Sequence, residues 1–282
     1  MPFINDRLAE NHNSIAQAKP RAQFNRQSRF LFEPDKVMDL LRKRIVGQAD
    51  VLAAMDNLLQ TVKADISSEQ RPLSVNLLIG PTGSGKTETV RVIAEAIHGS
   101  SDKLCRIDMN TLAQEHYTAA LTGAPPGYVG SKEGQTLLDV EAIQGSFSKP
   151  GIVLFDELEK ASNEVIRALL NILDTGKLKL ASGTKDIDFR NTLVFMTSNV
   201  AAKKTDLQSG WRRWFLRPVV DESHLLDHAL HERFDPEFLN RIDRTLSFQR
   251  LGEQSLPALL DIELAKLQLF SILCEEVEKA NK

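Results

Sequence analysis

Short apolar runs alternate along this chain with segments whose apolar residues recur every three or four positions. The runs are Val75-Asn76-Leu77-Leu78-Ile79, Leu104-Cys105-Arg106-Ile107, Gly151-Ile152-Val153-Leu154-Phe155 and Leu193-Val194-Phe195-Met196, each of strand length. Helical spacing is carried first by Val37, Leu40 and Leu41, then by Val51, Met55, Leu58, Leu59 and Val62. Further along, Val90, Ile93, Ala94 and Ile97 form a third stripe, and Val165, Leu169, Leu170 and Leu173 a fourth. A polar helix running to about Leu121, another over about 135–147 and a surface hairpin over 176–190 complete the pattern. Buried strands alternating with helices predict an α/β fold with a doubly wound, mainly parallel sheet. In such sheets, ligands bind beyond the carboxyl ends of the strands.

Residues 1–33 are polar and without period, which predicts a flexible N-terminal extension ahead of a large α/β domain over 34–252. The basic residues from Lys19 to Arg44 read as a solvated lead-in. Residues 253–282 predict one helix, with Leu260, Leu264, Leu267, Phe270, Cys274 and Val277 on a face that wants a partner.

Composition narrows the function classes. The net charge of −3 gives no global attraction to nucleic acid or anionic membrane, and no apolar run is long enough for a bilayer. Cys105 and Cys274 are the only cysteines, which suits a reducing cytoplasm and argues against a disulfide framework.

The chemistry is concentrated in Gly80-Pro81-Thr82-Gly83-Ser84-Gly85-Lys86-Thr87, a phosphate-cradling P-loop set between a strand and a helix. Glycines turn backbone N–H groups inward, and the helix N-terminus adds partial positive charge. Lys86 is expected on the β- and γ-phosphates, and the Thr87 hydroxyl on magnesium. Asp156-Glu157 ends a strand as a Walker B pair, with Asp156 for Mg2+ and Glu157 to polarise the attacking water. Asn199 ends the next strand with an amide suited to both water and γ-phosphate. A nucleoside triphosphate and Mg2+ are therefore the expected ligands.

With these residues in place, the chain resembles the second ATPase module of the Clp chaperones, the ClpA and ClpB type of AAA+ unfoldase. The resemblance runs from about Leu41 to Gly252. It rests on Ile45-Val46-Gly47-Gln48, Arg106-Ile107-Asp108-Met109, Gly123-Ala124-Pro125-Pro126-Gly127-Tyr128-Val129-Gly130, Asp156-Glu157-Leu158-Glu159-Lys160-Ala161 and Phe234-Asp235-Pro236-Glu237-Phe238-Leu239-Asn240-Arg241-Ile242-Asp243. It implies a five-stranded AAA+ sheet, ATP hydrolysis, and a homo-oligomeric, hexameric ring that threads unfolded or aggregated polypeptide. Ile45 and Val46 match the segment that packs on adenine. Gly127, Tyr128, Val129 and Gly130 match the pore loop that grips the substrate; the plainer alternative is an ordinary turn. Arg241 matches the arginine finger that reaches a neighbour's nucleotide, against the alternative of a surface ion pair with Asp243 or Glu237.

The chain also departs from that family. The helical lid with its second sensor arginine has no counterpart beyond the single helix over 253–282, and no Ile-Gly-Phe-like protease-docking tripeptide lies between Asn199 and Phe234. Trp211-Arg212-Arg213-Trp214-Phe215 is an insertion that fits either a partner site or local packing. His224, His228 and His231 would align on a helix, where a solvated face is favoured over a zinc site. Two alternatives to a threading motor stay open: a AAA+ subunit of a secretion or DNA-processing machine, and an ATP-binding scaffold with weak hydrolysis.

Overall fold

The computed structural model describes residues 28–66, 70–113, 137–180, 186–200 and 222–265. Five strands form one sheet in the order β2-β3-β6-β1-β7, and every pairing in it is parallel. They are β1 (Ser74–Ile79), β2 (Cys105–Asp108), β3 (Gly151–Asp156), β6 (Thr192–Ser198) and β7 (Arg244–Ser247). The expected hairpin is present as β4 (Lys177–Lys179) paired antiparallel with β5 (Asp186–Asp188).

Side chains alternate across each strand, so the sheet divides the core into two layers. Leu78, Ile152, Leu154, Leu193 and Phe195 point to one face. There they meet α1 (Pro34–Arg44), α2 (Ala49–Lys63) and α3 (Lys86–His98) through Met38, Leu41, Met55, Leu59 and Ile93. Val75, Leu77, Val153, Phe155, Val194 and Met196 point to the other face. They pack on α5 (Asn163–Thr175), α6 (Glu222–Arg233) and α7 (Pro236–Leu239) through Leu169, Leu173, Leu230, Phe234 and Phe238. The central strands β1, β3 and β6 are buried along their whole length. That is why they read as continuous apolar runs rather than alternating ones.

Two expectations are corrected. Burial already includes residues upstream of 34: Phe30 and Phe32 lie in the core, and Lys63 Nζ donates to both of their carbonyls at 2.6 and 2.9 Å. The helix expected over 135–147 is, within the described residues, only α4 (Val140–Gln144). Asp139 caps its start by accepting from the Ala142 N–H, and Gly145 at φ 60° ends it. The chain then turns through 146–149, where the Asn191 amide donates to the carbonyls of Gln144 and Ser146 at 2.8 and 2.9 Å.

After β7 the chain makes a short 3-10 turn, Glu253–Ser255, and enters α8 over 256–265. On α8, Leu260 and Leu264 of the predicted stripe are exposed, and so is Leu256. The remainder of that stripe lies outside the described residues, as do Gly127–Gly130, Trp211–Phe215 and residues 1–27; the helix expected to run to about Leu121 is described only as far as 113, where Met109–Leu112 form a 3-10 turn.

Candidate active site

The parallel register decides which side chains meet. Ile79 pairs with Ser198, Phe155 with Met196, and Asp108 with Asp156. The strand ends are therefore level, and Gly80, Asp156, Thr197 and Asn199 emerge side by side. Asp156, Thr197 and Asn199 line a cleft of about 710 Å³ together with Thr82 to Thr87, Ile45, Val46, Arg106, Glu157, Leu259 and Ile262. A cleft of that size holds a nucleotide-sized ligand.

The P-loop wraps the start of α3, with Gly80, Gly83 and Gly85 all at positive φ. At Gly80 the reason is also steric, because a Cβ would stand 2.4 Å from the Phe248 carbonyl oxygen. Lys86 is 7% exposed, and its Nζ donates to the Gly80 carbonyl, the Pro81 carbonyl and Asn199 Oδ1 at 2.8, 2.7 and 2.8 Å. Burial lowers the pKa of this ammonium, while the charges of Glu159, Asp156 and Glu157 act the other way. The sequence motif thus becomes a buried ammonium held against two loop carbonyls and the Asn199 amide oxygen.

Asp156 is held from several sides. Thr87 Oγ1 lies 3.2 and 3.3 Å from its two oxygens, and the Thr197 hydroxyl donates to Oδ1. Arg106 adds Nε and Nη2 on Oδ2 at 3.1 and 2.6 Å. Two hydroxyls beside a buried carboxylate make a hard oxygen set that fits a magnesium ion. Arg106, whose side chain is 53% exposed, supplies compensating positive charge there. Glu157 follows in the left-handed region at φ 58°, and its N–H donates to Thr197 Oγ1 at 3.0 Å. A non-glycine residue in that region is strained, and here one threonine hydroxyl holds both acids in place.

Arg106 and Thr197 had no assigned role in the sequence, because their partner is fixed by the neighbouring strand and not by chain proximity. Leu259 and Ile262 were also missed, since the exposed stripe of α8 drew attention to its other face. Glu159 is a further finding: both carboxylate oxygens are buried and without a hydrogen-bond partner among the described residues.

Arg241 is not among the residues lining the cleft. Its Nε lies 2.8 Å from Asp174 Oδ1, a charge contact that lacks hydrogen-bond alignment. The alternative pairing with Asp243 is not formed, because the Asp243 carboxylate accepts from the Val75 N–H while its own N–H donates to the Val75 carbonyl. Arg71 further pins this segment by donating to the Arg241 carbonyl at 2.8 Å. Arg241 thus sits beside the start of β1, and the P-loop follows its end. Five strand steps of about 3.3 Å, roughly 16 Å, lie between them. His228 and His231 are exposed, and among the described residues no group of three His, Cys, Asp or Glu could hold a metal ion. Among the same residues, no helix is long and apolar enough to cross a membrane.

This geometry agrees with what the chain is similar to. The model of the AAA domain (Cdc48 subfamily) matches residues 71–245. The chain is 46% identical over 292 residues to the ATP-dependent protease ATP-binding subunit-like protein AmiB of Pseudomonas aeruginosa, covering 95% of this chain and 79% of the relative. It is 37% identical over 234 residues to the chaperone protein ClpB of Vibrio cholerae, covering 83% of this chain but 26% of ClpB. Among solved structures, a cryo-EM reconstruction of Hsp104 with ATPγS and FITC casein aligns with a TM-score of 0.70 at 29% identity, over 83% of this chain and 38% of that one. The chain therefore spans only part of ClpB and of Hsp104. It belongs to the AAA domain (Cdc48 subfamily) family and is a Clp-type AAA+ ATPase with an α/β P-loop fold.

Proposed function

We propose that this ATPase is the motor of a cytoplasmic protein-remodelling ring, hexameric as the resemblance implies, in which each copy's Arg241 completes the next copy's nucleotide site and Tyr128 grips polypeptide. One observation carries the reading. Every other candidate catalytic group lies at the carboxyl ends of the strands, and Arg241 is held at the opposite end of β1, out of reach of its own cleft. A guanidinium so placed is useful to a nucleotide only across an interface, where such a residue is worth roughly 10³–10⁵ in rate.

Within one copy the division of labour follows from the contacts. Lys86 would leave the Gly80 and Pro81 carbonyls for the β- and γ-phosphates, keeping Asn199 beside it to orient the terminal phosphate. Thr87 and Asp156 would hold magnesium, which supplies charge neutralisation between the phosphates. Glu157 would orient the attacking water and take its proton, from a backbone position that Thr197 fixes. Ile45 and Val46 would receive the base opposite Leu259 and Ile262.

The polypeptide substrate is supported by the ClpB relatives and by the casein complexes in which Hsp104 was solved. The test is sedimentation of the purified chain with and without ATP, followed by ATP turnover with and without casein, for the wild type and Tyr128→Ala. The expected result is ATP-dependent ring assembly and casein-stimulated turnover that Tyr128→Ala abolishes. A monomer in saturating ATP would refute the ring. Stimulation by DNA and not by casein would transfer the chain to a nucleic-acid machine, and binding without turnover would make it a scaffold.

A further inference from the structure

Gln48 is 3% exposed, and its amide reaches the backbone of Gln249, 201 residues further along the chain. Its Nε2 donates to the Gln249 carbonyl at 2.9 Å and to the Ser84 carbonyl at 3.3 Å. Its Oε1 accepts from the Gln249 N–H at 3.0 Å. Each polar atom of this buried side chain is used, and all three partners are backbone.

Those partners belong to the parts of the cleft that must agree about one ligand. Ser84 is in the loop expected to hold phosphate. Ile45 and Val46, next to Gln48 in sequence, line the base side. Gln249 leads through Leu251 into α8, whose Leu259, Ile262 and Glu263 also line the cleft. Gly47, at φ 73°, lets this same segment come close: a Cβ there would stand 3.1 Å from Ser255 Oγ and 3.4 Å from a Leu251 methyl. Gly47 and Gln48 together form the seat on which the covering segment rests.

We propose that Gln48 is a positioning residue for nucleotide binding, which sets α8 and the base slot at a fixed distance from the phosphate loop. A nucleotide is rigid enough that its base and its phosphates must both fit, so an error in that distance is felt by ATP. A ligand that is phosphate alone does not feel it. Two of the three hydrogen bonds hold Gln249 and one, the longest, holds Ser84. Loss of the side chain therefore displaces α8 more than it displaces the loop.

The test compares ATP with inorganic tripolyphosphate by calorimetry, using the full chain as wild type and as Gln48→Met, which keeps length and apolar bulk and removes the hydrogen bonds. The expected result is an ATP affinity lower by about ten-fold, in keeping with the loss of buried hydrogen bonds, with tripolyphosphate affinity changed by less than about two-fold. Hydrogen exchange at the Gln249 amide should lose its protection in the same variant. If Gln48→Met does not fold, Gln48→Asn keeps the amide but shortens its reach, and the same split between the two ligands is expected. Equal losses for both ligands would mean that Gln48 only shapes the phosphate loop. Unchanged affinities with a lowered melting temperature would mean that it is only a core hydrogen bond. Either outcome overturns the assignment.

Discussion

The phosphate end of the cleft and the Arg241 corner are built in opposite ways. Asp156 is gripped by Thr87, Thr197 and Arg106, and Lys86 makes three hydrogen bonds, so both of these charges already have partners within the chain. Arg241 is held firmly at its backbone by Arg71 and by the Asp243 contacts with Val75, but among the described residues its guanidinium meets only Asp174, and it is one-third exposed. An ion pair so exposed to water is worth about 0–1 kcal/mol, so little is lost when the side chain leaves it. Fixed backbone with a releasable head is what a residue needs if its work is on another molecule. On the proposed function, chemistry completed within the chain is organised in advance, and chemistry shared between copies is left available.

The largest expected effect falls on the loosely held side. Arg241→Ala should lower ATP turnover by roughly 10³-fold or more while leaving ATP affinity within a few-fold, measured by steady-state kinetics and calorimetry. Asp174→Ala, which removes only the resting partner, should leave turnover intact or raise it. On the tightly held side, Glu157→Gln should reduce turnover by about 10²–10⁴-fold with nucleotide binding retained. Retained turnover would move the water-activating role to another carboxylate, with the unpartnered Glu159 the first to examine.

A smaller effect sharpens what holds Asp156. Arg106→Gln removes a guanidinium that shares the carboxylate expected to bind magnesium, so the Mg2+ concentration for half-maximal binding of ATP should fall by about three- to ten-fold. A rise instead would mean that Arg106 chiefly orients the acid.

The smallest effect lies away from the site. The His98 Nε2 is 2.9 Å from the Pro150 carbonyl, at the join between α3 and β3. Burial outweighs that hydrogen bond and lowers the imidazole pKa below its usual 6.5. The unfolded chain then binds the proton more readily, so stability is full above that value and declines as the pH falls through it. Melting curves at about pH 7.5 and about pH 5.5 should differ less for His98→Gln than for the wild type.

Much of this was legible because its cause is local. The eight-residue loop before α3 carries its own turn and its own charge, and the buried strands announce themselves as apolar runs. Asp156, Glu157 and Asn199 could be placed because parallel strands level their ends. The illegible parts depend on neighbours far along the chain. Arg106 meets Asp156 only through the β2–β3 register, and Thr197 serves both acids only through β3–β6. Gln48 finds Gln249 only after the sheet has formed. The partner of Arg241 is Asp174 and not the nearby Asp243, because Asp243 is already committed to the backbone of β1. The early end of α4 has a local cause in Gly145, which the apolar spacing over 135–147 had masked.

On the proposed function, one copy's Arg241 serves the site of another copy's Glu157, and mixing two inactive variants decides whether it does. Arg241→Ala and Glu157→Gln chains should each be nearly inactive alone. Combined in equal amounts and allowed to assemble with ATP, they should regain turnover, because an Arg241→Ala site gains the intact arginine of a Glu157→Gln neighbour. If the two chains demonstrably co-assemble and the mixture stays as inactive as its parts, Arg241 does not act across the interface, and the account is wrong.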